Sequence, residues 1–593
     1  MATLAPCTPL ILGTSSARSR SPSIATVRRR IRLTDPAWPS ADSWRRFNDE
    51  VAGNLIAVQP LFAACQGQPE SDSCAQAVKY AKNPYWIADQ PAGTEVSGWL
   101  DAWTPAASVY AIRARDAADV SAGVNFAREH HLRLVIKGGG HSYLGQSNAP
   151  DSLLIWTRAM NAVTLHDAFI PQGCEGHATP VRAVSAGAGA VWMDLYTKVT
   201  TQGGRYVQGG GCTSVGVAGL LQGGGYGSFS RGFGTAAASL LEAEVVTADG
   251  QIRVVNECRD PELFWALRGG GGGTFAVMTR LTLKTHELPK RFGWAGTKIR
   301  AESEAAFRRL MTRLLTHYRD QLFNEHWGEQ ISFFPDNTVE ISMSAQGLEQ
   351  VQMDAAWAPF LEWLGAAPDI ALQSPFSSGA VDARILWNVE NPSMIRDQRE
   401  DAIPNRGWWQ GDQGQAGAFL HGYESMWLPA ALLEPHAFPR LVDALFAASR
   451  FKRVQLHLNK ALARARPEAR AATLRTSTNP AVGDAFALAI IADGRELPAY
   501  PGYPAPAIEL SVARADARAI DSAAEQLRRI APRSGTYVAE SNYFNRAWRE
   551  DYWGVNYRRL RAIKRKYDPD GLYFVRHGVG SEDWSEDGFT RLI

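Results

Sequence analysis

Three glycine-rich loops carry the residues on which chemistry can be built. KGGGHSYLGQS (Lys137 to Ser147) presents His141 directly after three glycines, and QGGGCTSVGVAGLLQGGGYG (Gln208 to Gly227) presents Cys212 in the same way. The third loop, RGGGGGTFAVMTR (Arg268 to Arg280), is almost bare backbone. Successive N–H groups free of side chains can wrap an anion, and an imidazole and a thiol beside them are nucleophiles. Gly140-x4-Gly145 nearly matches a P-loop, but Gln146-Ser147 follows where the phosphate-binding lysine is needed, which rejects nucleotide hydrolysis. GFGTAA (Gly232 to Ala237) can be aligned with a dinucleotide fingerprint, yet no convincing helix with an acid about 20 residues on follows it. Turns and tight packing explain one such cluster. Of the chain's 53 glycines, 27 lie between Gly138 and Gly273, and three clusters with a histidine and a cysteine among them ask for a ligand.

The elements around these loops can be read from periodicity. VYAIRA alternates as a strand, DAADVSAGVNFAREH opens on an N-cap aspartate with apolar residues at helical spacing, and LRLVIK is a second strand running into the first glycine loop. SLLIW, RAVSAGAGA, EAEVVTADGQIRVV and TRLTLKTH read as further strands, with Ala248-Asp249-Gly250 turning a hairpin. VWMDLYTKVTTQGG and DPELFWALRGGGG read as helices closed by glycine. After Leu288-Pro289, ESEAAFRRLMTRLLTHYRDQL predicts a long helix, and QISFFPDNTVEISMSAQG, RVQLHLNKALA and DAFALAIIA predict strands. The expected architecture is α+β: residues 101–288 as one domain, 289–530 as a second with an antiparallel sheet covered by helices. Residues 35–100 pack as an N-terminal segment, and 531–593 form a C-terminal segment with a basic helix stopped by Asp568-Pro569-Asp570-Gly571.

Composition narrows the classes. The 593 residues are 45% hydrophobic and 21% charged, with 62 basic against 60 acidic side chains, which is globular and lacks the basic excess of a nucleic-acid binder. No apolar run reaches the 18 or more residues of a membrane span. The six cysteines form no CxxC pair and sit near no paired histidines, so no metal site is expected. Cys65 and Cys74 can bridge in an oxidising compartment, or stay as two thiols. Residues 1–34 hold six arginines and no acid, but their apolar stretch precedes the charge. They read as a disordered or leader-like extension that leaves cytoplasmic and exported locations open.

These motifs resemble a known family. Residues 101–288 resemble the PCMH-type FAD-binding domain of the vanillyl-alcohol-oxidase-type flavoproteins, and more narrowly that of the berberine-bridge-enzyme-like oxidases. The residues that carry the resemblance are GGGHSYLG, the cysteine within GGCTSVGVAGLLQGGGYG, RGGGGGTFAV and the terminal YWGVNYRRLRAIKRKYDPDGLYF. The resemblance implies FAD as cofactor, bonded through His141 to the flavin 8α-methyl and through Cys212 to C6. It implies that Gly138, Gly139, Gly140 and Ser142 line the pyrophosphate, with Gly145 and Ser147 close by. Thr213, Ser214, Gly216, Val217, Gly219, Tyr226 and Gly227 follow the flavin and ribityl chain, Val246 lies on the adenine side, and Asn556 and Tyr557 cover the flavin. Val215 falls where a small side chain leaves room for dioxygen.

Oxidation of a C–OH carbon needs a hydride acceptor and a base for the hydroxyl proton. In the tail, TYVAESNYF offers Glu540, with Tyr543 nearby; on the predicted sheet, His457 and Asn459 share one face. The leading expectation is an FAD-linked oxidase passing electrons from a small alcohol, sugar hemiacetal or phenolic/alkaloid-type substrate to O2, giving H2O2. The alternatives are a flavin dehydrogenase of the same fold, a catalytically idle FAD-binding protein and a nicotinamide enzyme.

Overall fold

A computed structural model describes residues 29–592. The predicted β-α-β unit forms: strands Tyr110–Arg113 and Arg133–Lys137 lie on either side of Ser152–Trp156, both parallel to it, and Leu55–Ala57 closes the edge antiparallel. Helix Ala117–Glu129 crosses between them. Asp116 caps it by accepting from the amides of Ala118 and Asp119, and Val120, Val124 and Ala127 bury its inner face. Because Arg133–Lys137 is fully paired in this sheet, its end fixes where the loop Gly138–Gly140 begins.

A second sheet of five antiparallel strands runs Val163–Phe169, Val181–Gly187, Val277–Lys284, Leu240–Val246, Ile252–Asn256. The predicted hairpin turn is present, with Gly250 at φ 79° and its amide donating to Thr247 O. The second glycine loop follows strand Arg205–Tyr206, which pairs with His286–Glu287 in a separate two-stranded sheet, and the third runs into Val277–Lys284 of this sheet. An eight-stranded antiparallel sheet follows, built from strands that include Arg291–Ala301, Trp327–Phe333, Thr338–Gln346, Val454–His457, Phe419–Pro429 and Ala485–Arg495. Helices Glu304–His317, Phe438–Ser449 and Leu510–Arg528 cover one face through Phe307, Leu310, Leu314, Leu445 and Leu527, leaving the other face toward the glycine loops.

Cys65 bonds Cys74, the pairing left open from sequence, and Cys174 bonds Cys258, a pairing that nothing in the spacing indicated. Cys7 and residues 1–28 of the leader-like segment lie outside the described residues. Residues 29–34, expected to belong to a disordered extension, are packed: the Arg30 guanidinium is buried, donates to Gly588 O at 2.7 Å, and sits over the Trp584 ring. The Arg30 guanidinium donates to Gly588 O, Gly571 O and Leu572 O, which ties this segment to the chain's far end despite the composition of an arginine-rich leader. Among the described residues no helix is long and apolar enough to cross a membrane.

Candidate active site

One cavity of about 1350 Å³ lies between the glycine loops and the open face of the eight-stranded sheet. It exceeds the ~300–1,000 Å³ of ordinary ligand pockets, so it has room for a dinucleotide and a substrate together. His141 and Cys212 both line it, with Gly138–Gly140, Ser142, Ser147, Val215, Gly216, Gly219, Tyr226 and the bare backbone of Gly271–Gly273. The two nucleophile-bearing loops pack backbone on backbone. A Cβ at Gly139 would stand 2.9 Å from the amide nitrogen of Gly216, and one at Gly216 would stand 3.0 Å from that of Gly139. Only glycine at both positions permits that approach.

Lys137 does not serve the loop as a phosphate ligand. Its side chain is buried and its Nζ donates to Gln90 O and, at 3.1 Å, to Pro91 O. Burial pulls its pKa down to about 7. Lys137 therefore supplies no ammonium group to an anion in this loop.

His141 is half-buried, and the loss of hydration lowers its pKa to about 4 and keeps the imidazole neutral. Its Nε2 meets Ser214 Oγ at 3.1 Å and Glu95 Oε2 at 3.5 Å. Cys212, free of any disulfide, is held as the thiol by burial and by the neighbouring Asp412 carboxyl. Across the cavity the Glu540 carboxylate pairs with Lys460 Nζ. Burial first, and then the charge of Glu540, push the phenols of Tyr143, Tyr423 and Tyr537 well above their ordinary range, so they stay protonated donors. His457 lines the same space and burial keeps it neutral. Beside it on the sheet, Gln455 Nε2 donates to Gln330 Oε1 at 3.0 Å. Asn459, on the shared face, donates its amide toward Glu329 at 3.4 Å.

Several residues expected at a cofactor lie outside the cavity wall. Gly145 (φ 70°) packs against Trp103, and a Cβ on Gly227 would stand 1.6 Å from Gly209 O, so both serve backbone packing. Thr213 Oγ1 donates to Gly407 O, and Ser214 reaches the site through His141. The Val217 amide donates to Ala190 O, and Val246 is core with its carbonyl accepting from Tyr573. Asn556 donates to Thr478 O, and Tyr557 donates to Glu582. Tyr543 is half-buried under the Arg576 guanidinium and beside Trp99, away from the cavity. Sequence reading missed Glu95, Asp412, Lys460, Tyr143 and Tyr423. Lys460 follows Asn459 in the very strand motif that was read, and Tyr143 lies two residues beyond His141.

Two family models match the chain: the FAD binding domain over residues 109–256, and the berberine and berberine-like model over 503–580. The chain is 28% identical over 611 residues to the VAO-type flavoprotein oxidase VAO615 of Thermothelomyces thermophilus, covering 98% of this chain and 97% of that protein. Its fold is similar to the crystal structure of the VAO-type flavoprotein MtVAO615 of Myceliophthora thermophila, with TM-score 0.75, 24% identity and coverage of 95% and 99%. It is also similar to the glucooligosaccharide oxidase of Acremonium strictum, whose structure is described as carrying a 6-S-cysteinyl, 8α-N1-histidyl FAD, with TM-score 0.62, 17% identity and coverage of 88% and 99%. The chain thus carries the FAD-binding and berberine-like domains of the VAO-type FAD-linked oxidases. Within that class it is an FAD-linked oxidoreductase whose nucleophile loops, His141 and Cys212, meet in one cavity.

Proposed function

We propose that the protein is an oxidase holding FAD by two bonds, from His141 and Cys212, and oxidising a hydroxyl-bearing small molecule. The observation that carries this reading is the convergence of both nucleophiles with the Glu540–Lys460 pair on one cavity. The residues present suit the cofactor: a Cβ at Gly219 or Gly272 would meet no protein atom within 4 Å, so bare backbone faces open space where a flat ring needs it. The linkages described for the Acremonium oxidase are of the same two types.

Bound there, FAD supplies a hydride acceptor at N5 that dioxygen can reoxidise, with hydrogen peroxide as product. The chain's own residues do the rest. Gly138–Gly140, Ser142 and Ser147 hold the pyrophosphate through backbone N–H groups and hydroxyls. Glu540 accepts the substrate hydroxyl proton, and Lys460 fixes the carboxylate that receives it. The protonated Tyr143 and Tyr423, 5.4 Å apart between ring centroids, donate to the substrate oxygen and hold it toward Glu540. His457, Gln330 and Gln455 offer further hydroxyl contacts along the sheet, and Trp294 and Trp409 supply ring faces. These donors suit an alcohol or a sugar hemiacetal better than a bare aromatic amine.

Denaturing the purified protein in acid tests the attachment: flavin stays with the chain in the wild type and in His141→Ala, and leaves only in the His141→Ala/Cys212→Ala double variant. Peroxide release over a panel of alcohols, oligosaccharides and phenols tests the chemistry. Flavin bleaching without peroxide in air identifies a dehydrogenase, and no bleaching with any substrate rejects catalysis.

A further inference from the structure

Both attachment nucleophiles are poor in their resting states. The Cys212 thiol is held protonated by its surroundings, and a neutral imidazole that bonds carbon at one nitrogen becomes cationic until it sheds the proton on the other. Each needs an acceptor within reach, in a place from which water is excluded.

The structure supplies one at each. Glu95 comes from the N-terminal segment, is 4% exposed, and its Oε2 has no hydrogen-bond partner among the described residues. A buried carboxyl oxygen without a partner has lost its hydration with nothing in exchange, so its position asks for a reason. The backbone sets that position: the Glu95 amide donates to Gly140 O at 2.9 Å, its carbonyl accepts from Gly417 N, and its carboxyl then points at Nε2 of His141, the next residue. With Nε2 hydrogen-bonded to Ser214 Oγ and 3.5 Å from Glu95, Nδ1 is the nitrogen assigned to bond a ligand. Asp412 comes from a different segment, the turn Gln410–Asp412. That turn is strapped to the cysteine loop on both sides of Cys212, by Trp409 Nε1 donating to Gly211 O at 3.1 Å and Thr213 Oγ1 donating to Gly407 O at 2.6 Å. Asp412 Oδ1 accepts from Gln415, while its buried Oδ2 has no hydrogen-bond partner among the described residues; Asp412 and Cys212 line the same cavity, where the carboxylate charge acts on the thiol.

We propose that each attachment nucleophile has its own proton acceptor, Glu95 for His141 and Asp412 for Cys212. The assignment rests on the bicovalent reading above and extends it. At His141, the Nδ1–C8α bond forms, a C–H bond of the 8α-methyl breaks, and the Nε2 proton passes to Glu95, leaving a neutral substituted imidazole hydrogen-bonded to a carboxylic acid. At Cys212, the Sγ–C6 bond forms, the C6–H bond breaks, and the thiol proton passes to Asp412. Each addition leaves one electron pair on the flavin. One dioxygen per bond accepts that pair together with the proton of the broken C–H bond and the proton handed to the carboxylate, and leaves as hydrogen peroxide, so each carboxylate is restored.

The surroundings suit both acceptors. Burial, and then the charge of Asp412, raise Glu95 to about 8 against the opposing pull of Lys82, so it takes the proton only from its ionised fraction, roughly a tenth at pH 7, and attachment at His141 speeds up as pH rises toward 8. Arg158 disfavours a charged His141 and so favours handing its proton on. Burial raises Asp412 to about 6, with Glu329 adding to the rise. Lys460 and Glu540 act on Cys212 in opposite directions.

The test is a pair of near-isosteric variants, Glu95→Gln and Asp412→Asn, purified as expressed and digested for mass analysis of the His141 and Cys212 peptides. Loss of an acceptor slows its bond by roughly 100-fold or more. The expected pattern is crossed: Glu95→Gln loses the flavin mass on the His141 peptide and keeps it at Cys212, Asp412→Asn does the reverse, and Glu95→Asp and Asp412→Glu restore part of each bond. Both bonds intact in both variants, or both lost together in each with no recovery in Glu95→Asp or Asp412→Glu, overturns the assignment while the wild type stays doubly bonded. Release of all flavin from the wild-type chain in acid overturns the bicovalent reading itself, and the assignment with it.

Discussion

Gly219→Ala separates what the fold needs from what the cofactor needs, because the two respond with opposite sign. Gly219 sits in helix Val217–Gln222 and lines the cavity, and a Cβ built there meets no protein atom within 4 Å. In the protein without flavin the added methyl clashes with nothing and restricts the unfolded chain, which stabilises a helix by roughly 0.5–1 kcal/mol. For a chain of 593 residues that raises the unfolding midpoint by about 0.4–0.8 °C. With flavin bound, the same methyl stands in the space assigned to the ring system. Overpacking of about 1–3 kcal/mol converts to a dissociation constant about 5- to 150-fold weaker. The assay uses the His141→Ala/Cys212→Ala background, in which FAD exchanges freely, and reads thermal unfolding without FAD and flavin titration with it. A higher midpoint together with weaker FAD binding supports the placement of the flavin against Gly219. An FAD affinity unchanged within about twofold would falsify it, whatever the midpoint does.

The substrate side is tested by Glu540→Gln, which lowers kcat/KM by about 10²- to 10⁴-fold with flavin content unchanged, and Lys460→Met follows it in the same direction; steady-state peroxide assays read both. The loop contact is tested by Gly139→Ala, whose Cβ is forced to 2.9 Å from Gly216 N. It costs about 1–3 kcal/mol of stability, read by denaturant unfolding, where an equal midpoint would mean the two loops do not pack as described. Acid stability is tested at His317, which is buried against Trp357 and Phe360 and lowered to about 4 by burial and then by Arg313. The unfolded chain takes up that proton near pH 6.5, so stability is lost as pH falls from about 6.5 to 4, by up to about 3 kcal/mol. In His317→Phe that part of the slope disappears from unfolding curves measured across the range. Removing the Cys174–Cys258 bridge, which closes 84 residues, costs about 4.6 kcal/mol in Cys174→Ser/Cys258→Ser by the chain-entropy relation, read by denaturant unfolding.

The parts of the molecule that follow local rules were legible in its residues. Asp116 sits where a helix must start, the alternation of VYAIRA and LRLVIK is that of paired strands, and the glycines at 138–140 mark where a strand hands its chain to a loop. His141 and Cys212 stood out because each interrupts a run of glycine, and nothing but a ligand explains a nucleophile on bare backbone twice. Strand Phe419–Pro429 was missed because it is buried along nearly its whole length and so has no alternation to read. Glu95 and Asp412 were invisible for a different reason. A carboxylate in a sequence reads as a surface charge, and what removes these two from solvent is contact with loops 46 and 200 residues away in the chain. Gly145 and Gly227 show the converse, since their glycine signal was real but answers to Trp103 and to the Gly209 carbonyl.

That contrast bears on how such a site is assembled. The nucleophiles lie on loops anchored by the two sheets of residues 110–284, whereas the groups that face them arrive from elsewhere: Glu95 before the first parallel strand, Asp412 and Lys460 from the segment carrying the eight-stranded sheet, and Glu540 beyond it. Each of these contacts spans the chain, so the cavity exists only when every segment is docked. Attachment chemistry that depends on Glu95 and Asp412 is therefore confined to the fully folded protein, and a chain caught with only its glycine loops formed binds flavin without bonding it. A time course of refolding in the presence of FAD checks this order. Native tryptophan fluorescence must recover before acid-stable flavin appears, and covalent flavin ahead of that recovery refutes the dependence.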